Sequence, residues 1–310
     1  MQANGADEAQ GGRLMRSMLF VPGDRPERFA KAVSSGADAV IFDLEDAVVP
    51  DRRAVARREI ARFLGESTRS VPLWVRINPV ETRDALPDLA AVLEARPDGI
   101  LLPKARDGSD VHRASHWIES LEARDGVAPG SVGLIPLITE SAGAVLSAAT
   151  FTRLPERVRA LTWGAEDLAA DLGALGNRTA DGEFEFTYAY VRSICLLAAA
   201  AAGVAGIDTV DTEIRDVAAI ERRARESRRQ GFTGKLAIHP SQIAPIHAAF
   251  SPSAAEVDWA ERVLAAFRAA PDAGALSLDG RMLDKPHIRQ AERILAAAVC
   301  AGDDRKGGSP

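Results

Sequence analysis

Short apolar and β-branched runs recur eight times along this chain, and nearly every one ends in a charged or polar residue. The runs lie at 17–22, 39–45, 73–78, 99–104, 133–140, 160–167, 206–210 and 235–239, with helix-like segments in the gaps. Eight buried strands alternating with helices predict an α/β fold, a (β/α)8 TIM barrel, whose active site is built from the C-terminal strand ends. Those ends gather Asp43, Glu45, Asp46, Arg76, Lys104, Glu140 and Asp167, with Asp208 and Asp211 at the end of the seventh run. A packed scaffold has no need of so many charges at equivalent positions, so the pattern points to an enzyme.

The length of 310 residues suits one barrel of the usual ~250 residues with an appendage. The barrel is expected over 16–250 and a C-terminal helical extension, a lid or oligomer arm, over 251–301. Disordered tails are expected at 1–15 and 302–310. In the extension, Ser253 caps a helix expected to reach 270; a Gly-containing turn, the stretch DGRMLD at 279–284 and a last helix follow. Hydrophobic residues make up 46% of the chain, enough for a large core, and a net charge of −6 argues against a nucleic-acid-binding surface. Residues 1–12 lack the apolar segment of a signal peptide, and the apolar stretch 196–205 is too short to span a bilayer. These features predict a soluble cytoplasmic protein without membrane or nucleic-acid partners.

The fifth and sixth runs carry the sharpest chemistry. Alternation puts Pro136, Ile138 and Glu140 on one strand face, with Glu140 at the barrel mouth. One unit later, the next strand is expected to end in Glu166 and Asp167. Carboxylates on neighbouring strand ends, with acids of the second strand close by, form a hard oxygen-donor set suited to Mg²⁺. The same spacing also fits solvated or salt-bridged acids. Asp43 and Glu45 are expected to point one way and Asp46 the other; orienting metal-bound water and capping a helix are both open to this cluster. Arg76 and Asn78 share a face, and an arginine there can hold a carboxylate, stabilise a developing oxyanion or serve a structural ion pair. His112 and His116 have i, i+4 spacing, but Arg113 stands where a zinc-protease motif needs glutamate. Cys195 and Cys300 read as small buried apolar groups.

Together these motifs resemble the citrate lyase β-subunit-like branch of the HpcH/HpaI aldolase family. The matching stretches are RSMLFVPG at 16–23, GADAVIFDLEDA at 36–47, VRINP at 75–79, LPK at 102–104, PLITESA at 136–142, GAEDLAADLG at 164–173 and GKLAIHPSQI at 234–243. The resemblance implies a Mg²⁺-dependent carbon–carbon lyase that cleaves or forms 3-hydroxyacyl-CoA thioesters such as malyl-CoA or citramalyl-CoA. The products of cleavage would be acetyl-CoA or another acyl-CoA and a 2-oxo acid. Under this resemblance Glu140 and Asp167 would hold the metal, Glu140 would also meet the substrate, and Asp43 and Glu45 would stand behind them. Arg76 would stabilise the thioester enolate. Asp284 would shuttle the proton, in relatives often from a neighbouring subunit, which implies a homo-oligomer, commonly a trimer or hexamer. Phe20, Arg25 and Lys31, with Ile238 and His239, would face CoA. Glu140-Ser141 stands where glutamate-threonine is usual, a change that keeps a hydroxyl. The resemblance also admits the citryl-thioester lyase subunit of a citrate lyase complex, a malyl-CoA thioesterase or malate synthase on the same site, and a catalytically silent CoA-binding scaffold. The intact Arg76, Glu140, Asp167 and Asp284 set argues against the scaffold.

Overall fold

The computed structural model describes residues 15–306. They divide into two compact units, Met15–Ile246 and the stretch from His247 onward, each described by itself. In the first, eight parallel strands close into a barrel in chain order, the eighth pairing with the first. They are β1 Ser17–Pro22, β2 Ala39–Asp43, β3 Leu73–Arg76, β4 Gly99–Ala105, β5 Gly133–Ile138, β6 Ala160–Trp163, β7 Ala205–Asp208 and β8 Gly234–Ala237. Helices α1 Phe29–Val33, α2 Arg53–Glu66, α3 Ala85–Val92, α4 Gly108–Asp125 and α5 Ala142–Leu146 follow the first five strands. Two helices, α6 Ala165–Asp171 and α7 Phe186–Ala202, follow the sixth, then α8 Val217–Gln230 and α9 Ile243–Phe250 complete the series. This is the expected (β/α)8 barrel.

The interior is filled by inward-facing side chains of every strand, among them Met18, Ile41, Trp74, Leu101, Ile135, Leu137, Ile207 and Leu236. Trp74 sets a local requirement for glycine. A Cβ at Gly99 on the next strand would lie 2.2 Å from the indole ring, and one at Gly133 a further strand on would lie 3.0 Å away. Outside the barrel, Phe29, Phe42 and Phe63 pack edge to face with ring centroids 4.7–5.5 Å apart, fastening α1 and α2 to β2.

Several strands stop short of the apolar runs that predicted them. β2 ends at Asp43 because the Asp43 carboxylate accepts the N–H groups of Glu45 (2.9 Å) and Ala47 (3.1 Å), donors that a longer strand would give to the sheet. β6 ends at Trp163, and Gly164 starts α6, so Glu166 and Asp167 stand in the first turn of a helix and not on a strand end. That position favours carboxylates through the exposed N–H groups of the turn.

β7 also corrects the expectation for Asp208. Ile207 faces the interior, so Asp208 points outward into the layer against α7 and α8. There its carboxylate accepts from Trp163 Nε1 (2.8 Å), Arg192 Nη2 (2.9 Å) and Ser227 Oγ (2.6 Å), with Lys235 Nζ at 3.3 Å. Asp211 is tied in the same layer by Arg223 Nη2 at 3.0 Å. Both acids serve the wall of the barrel, not its mouth.

The second unit holds α10 Ala254–Ala269, the antiparallel hairpin β9 Ala275–Leu278 and β10 Arg281–Asp284, and α11 Lys285–Lys306. Ser253 and Glu256 form a reciprocal capping box at the start of α10. The hairpin, expected only as a turn and an unassigned stretch, reverses at Asp279-Gly280, both left-handed (φ 50° and 75°), as a two-residue hairpin loop of this hand requires. Ala260, Val263, Leu283 and Ala291 form its core. Of the expected tails, 1–14 and 307–310 lie outside the described residues, and 302–306 continue α11. Cys195 is free and buried as expected, while the side chain of Cys300 lies outside the described residues.

The Asp208 network yields a stability prediction. Burial would raise this carboxyl's pKa, but Lys235 and Arg192 outweigh it and hold the group far below its usual range. Asp208→Asn leaves two buried cations without their counter-charge and should cost about 3–5 kcal/mol in urea denaturation at neutral pH. The folded pKa lies below the unfolded value of ~3.9, so the carboxylate's contribution is complete above that pH and is lost as pH falls below it. The gap between wild type and variant should therefore narrow on acidification; a constant gap would contradict the assignment.

Candidate active site

The charged residues that close on one another at the barrel mouth come from β2 to α6. Arg76 ends β3 in register with Asp43 on β2. Its guanidinium forks onto that carboxylate, Nε to Oδ1 at 2.7 Å and Nη2 to Oδ2 at 2.6 Å. Nη1 lies 3.0 Å from Glu45 Oε2 and 3.6 Å from Asp46 Oδ2, and the Phe20 ring packs 4.9 Å from the guanidinium carbon. Asp46 therefore meets the same cation as Asp43 and Glu45, contrary to the expected opposite orientation. The strand has already ended, and side-chain bonds to Asp43 curl the chain so that strand alternation no longer applies. Asn78 takes a structural place, donating to Leu44 O (3.0 Å) and Asp88 Oδ2 (2.7 Å).

Lys104 is the second cation. Its ammonium contacts Glu45 Oε1 and lies 3.2 Å from Asp46 Oδ1 and 3.2 Å from Asp167 Oδ1. Its own backbone N–H donates to Glu140 Oε2 at 2.5 Å. The sequence signalled this residue only as the polar end of a Pro-Lys pair; its partners, up to 63 positions away, come from three other units of the barrel.

Glu140 reaches this group by a different backbone route from the one expected. Ile135 and Leu137 face the barrel interior, which would leave Ile138 and Glu140 on the outer face. Thr139 breaks the alternation with a left-handed φ of 70°, unusual for a β-branched residue, and delivers Glu140 to the mouth. Lys104 on the adjacent strand is also left-handed (φ 51°), where the β4–β5 register shifts between Leu102 and Ala105. Glu140 is buried, and burial together with the neighbouring Asp167 charge pushes its pKa well above the usual carboxylate range. Burial likewise pushes Glu45 up to about 7, against the opposing pull of Arg76 and Lys104. Burial would lower the Lys104 pKa, but Glu45 outweighs it and the ammonium is held above its ordinary value.

Glu140 and Asp167 are thus two mutually repelling oxygen donors, the chemistry of a divalent-cation site. Gly164 leaves the space that Glu140 needs: a Cβ there would sit 2.9 Å from Glu140 Cγ and 3.0 Å from Oε1. Among the described residues no three His, Cys, Asp or Glu side chains are grouped to hold a metal. Mg²⁺ does not need three, because it commonly takes one or two carboxylates and keeps water or substrate oxygens. The donor set fits that ion. Glu166 is held apart by Asn177, whose Nδ2 donates to it at 2.8 Å.

The residues expected around CoA fall in separate places. Arg25 lines a cavity of about 530 Å³ with Arg28, Arg52, Asp24, Pro22 and Val49, so two further arginines, not expected from the sequence, join it. Phe20 lies under Arg76, and Lys31 is exposed in the last turn of α1. Ile238 is half-exposed, while His239 caps the turn that follows it, its Nδ1 accepting from Ser241 N–H at 3.2 Å. Asp284 belongs to the second unit, where its Oδ1 lies 2.7 Å from His287 Nδ1.

A closed barrel with paired carboxylates and a clamped arginine at its C-terminal mouth defines a barrel enzyme, and comparison with known proteins gives its class as lyase. The pattern of the HpcH/HpaI aldolase/citrate lyase family matches residues 16–240, and that of a carbon–carbon bond lyase of the TIM-barrel fold matches 195–302. A citrate lyase subunit beta-like protein of Mycobacterium tuberculosis is 39% identical over 280 residues, 90% of this chain and 94% of the relative. A (3S)-malyl-CoA thioesterase of Cereibacter sphaeroides is 35% identical, covering 91% of this chain and 94% of the relative. The crystal structure of M. tuberculosis CitE in complex with magnesium, acetoacetate and coenzyme A superposes with a TM-score of 0.76 at 35% identity, over 92% of this chain and 98% of that one. The chain belongs to the HpcH/HpaI aldolase/citrate lyase family.

The geometry makes Arg76 a structural as well as a chemical residue. Arg76→Met leaves the buried Asp43 and Glu45 carboxylates short of a counter-charge and should cost about 3–5 kcal/mol in urea denaturation. Arg76→Lys keeps the charge but cannot reproduce the fork, and its loss should fall between the two. Equal stability of all three proteins would refute this reading.

Proposed function

We propose that this enzyme is a Mg²⁺-dependent lyase of 3-hydroxyacyl-CoA thioesters, releasing an acyl-CoA and a 2-oxo acid or running the reverse condensation. The observation that carries the reading is the convergence of Arg76 with Glu140 and Asp167 at one barrel mouth, bridged by Glu45 and Lys104. Relatives crystallised with magnesium, coenzyme A and short oxo acids support the same chemistry.

Glu140 and Asp167 would hold the metal, with Asp43 and Glu45 fixing the surrounding cations. A bound Mg²⁺ supplies Lewis-acid polarisation and a template for the oxygens of the oxo-acid fragment. In cleavage, a base takes the 3-hydroxyl proton, and the C2–C3 bond breaks with its electron pair passing to the thioester enolate. Protonation at C2 then completes the acyl-CoA. Arg76 is suited to the enolate oxygen. Asp43 occupies Nε and one Nη2 hydrogen and Glu45 lies 3.0 Å from Nη1, which leaves the second Nη2 hydrogen for an oxygen in the mouth. We assign the proton shuttle to Asp284. Arg25, with Arg28 and Arg52 around the same cavity, provides the positive charge suited to CoA phosphates, and Phe20, Lys31, Ile238 and His239 remain assigned to CoA. A Schiff-base route has no suitable amine at either lysine of the barrel wall. Lys104 is held as an ammonium by carboxylates, and Lys235 is buried in the outer layer against Asp208.

We assign the enzyme to the cytoplasm as a homo-oligomer; among the described residues no helix is long and apolar enough to cross a membrane. Similarity to a malyl-CoA thioesterase favours one second reading, in which hydrolysis of the thioester follows on the same site.

Purified full-length protein assayed with Mg²⁺ against a panel of 3-hydroxyacyl-CoA esters should release a 2-oxo acid, and removal of the metal with EDTA should stop it. Glu140→Gln and Asp167→Asn should each lower turnover by at least about 100-fold. Asp284→Asn should abolish turnover while leaving metal affinity unchanged. Full metal-dependent turnover in both Glu140→Gln and Asp167→Asn would remove them as ligands. Gly164→Ala should weaken metal binding without unfolding the barrel, because the added methyl presses on Glu140.

A further inference from the structure

We infer that His287 is a positioning residue that dedicates one oxygen of Asp284 to proton transfer. The inference rests on the assignment of the proton shuttle to Asp284, and its geometry lies wholly within the second unit. Asp284 ends β10 and Lys285 opens α11, which puts Asp284 at the N-cap and His287 at the third helical position. An N-cap carboxylate ordinarily accepts the peptide N–H of the second or third helical residue. The second is Pro286, which has no N–H. Among the described residues the one hydrogen-bond partner of the Asp284 carboxylate is the His287 ring, with Nδ1 2.7 Å from Oδ1, and Oδ2 has none.

One ring nitrogen touches two groups of opposite kind. His287 Nδ1 lies 3.1 Å from the Asp284 peptide nitrogen, a donor, and 2.7 Å from Oδ1, an acceptor. It can donate or accept, but not both at once. A bare Nδ1 would set its lone pair against a carboxylate oxygen, so while Asp284 is charged the proton sits on Nδ1 and donates to Oδ1. That charge-assisted bond is the stronger of the two. Oδ1 is thereby occupied, and Oδ2 becomes the oxygen that carries the shuttled proton. In cleavage the 3-hydroxyl O–H bond breaks, its proton passes to Oδ2, and its electron pair forms the carbonyl of the oxo acid as C2–C3 breaks. Return of that proton from Oδ2 to C2 of the enolate restores the carboxylate. Nδ1–H donates to Oδ1 throughout, because a carboxyl protonated on one oxygen still accepts on the other. His287 therefore keeps its own proton, and the pair needs no outside acid or base.

The test compares His287→Glu, His287→Gln and His287→Leu in the purified full-length protein, assayed with Mg²⁺ and the 3-hydroxyacyl-CoA ester that the panel shows to be cleaved. Glutamate at this position completes a capping box with the Asp284 peptide N–H, so His287→Glu should melt at or above the wild-type temperature. It cannot donate to Oδ1 and sets a second negative charge beside it, so kcat should fall at least about 30-fold with KM within about threefold. His287→Leu should lose turnover in the same way, whereas His287→Gln keeps a side-chain N–H and should stay within about fivefold of wild type. A residue that only caps the helix would give the reverse order, with His287→Glu the best of the three. Wild-type kcat in a folded His287→Glu or His287→Leu protein overturns the inference, as does a loss in His287→Gln as deep as in His287→Leu; with Asp284→Asn inactive, the shuttle assignment survives that result. If Asp284→Asn retains wild-type turnover, or no ester is cleaved, the underlying reading fails and the inference with it.

Discussion

The mouth of this barrel depends on one constraint: acidic side chains taken out of water must be matched by cations within hydrogen-bond reach. Asp43 and Glu45 are almost fully buried, and Glu140 with them. Unpaired, each carboxylate would cost several kcal/mol to desolvate. Arg76 meets the first two through a planar fork, and Lys104 meets Glu45 from the other side. Among the described residues Glu140 accepts one hydrogen bond, from the Lys104 peptide N–H, and with the Lys104 charge this does not offset burial and Asp167, which drive its pKa upward. Glu140 and Asp167 share Lys104, through its peptide N–H and its ammonium, and they are the oxygen pair proposed for a divalent cation.

That arrangement is made by local departures from regular structure. A parallel strand sends alternate side chains in and out, so a uniform β5 would have buried Glu140 against the outer helices. Thr139 reverses the parity at the cost of a left-handed β-branched residue, a strain of about 1–3 kcal/mol that surrounding structure must overcome. Lys104 does the same on the adjacent strand. Gly164 then starts α6 without a side chain of its own, giving Glu140 its space and bringing Asp167 into a first helical turn. Two adjacent strands thus surrender regular backbone at the mouth, and the next unit supplies a glycine. The strain is local to the mouth, while the interior below keeps strict alternation around Trp74.

The barrel was readable because burial on both strand faces leaves nearly continuous apolar runs, and eight of them alternate with helical segments. The identities of the mouth residues were readable for a related reason, since charges interrupt those runs at the rim. Their orientation was not. Glu140 was assigned to the mouth from a parity that the structure contradicts, and it arrives there because φ at Thr139 changes sign, which alternation alone does not encode. Asp46 was expected to face away because a strand was assumed to continue where side-chain hydrogen bonds had already ended it. Asp208 appeared functional by position, yet its partners Arg192, Ser227 and Lys235 come from two helices and another strand, and no local spacing announces them. The Asp279-Gly280 hairpin is the opposite case: a local two-residue signal, Asp-Gly between alternating segments, encodes it directly.

The two lysines show how the same side chain is given different chemistry by its layer. Both are on barrel strands, and both lie beside carboxylates. Lys235 is buried on all sides, and desolvation lowers its pKa although Asp208 is adjacent. A lowered amine would be reactive toward a carbonyl, but Lys235 points into the closed wall between strands and helices, where no substrate can reach it. Lys104 has the opening to solvent that Lys235 lacks, yet the acids around it hold it charged and without a free electron pair. Access and nucleophilicity are therefore separated onto different residues. What remains accessible in the mouth is fixed positive charge beside a pair of carboxylates, an environment suited to stabilising developing oxyanions and not to covalent attack on a carbonyl.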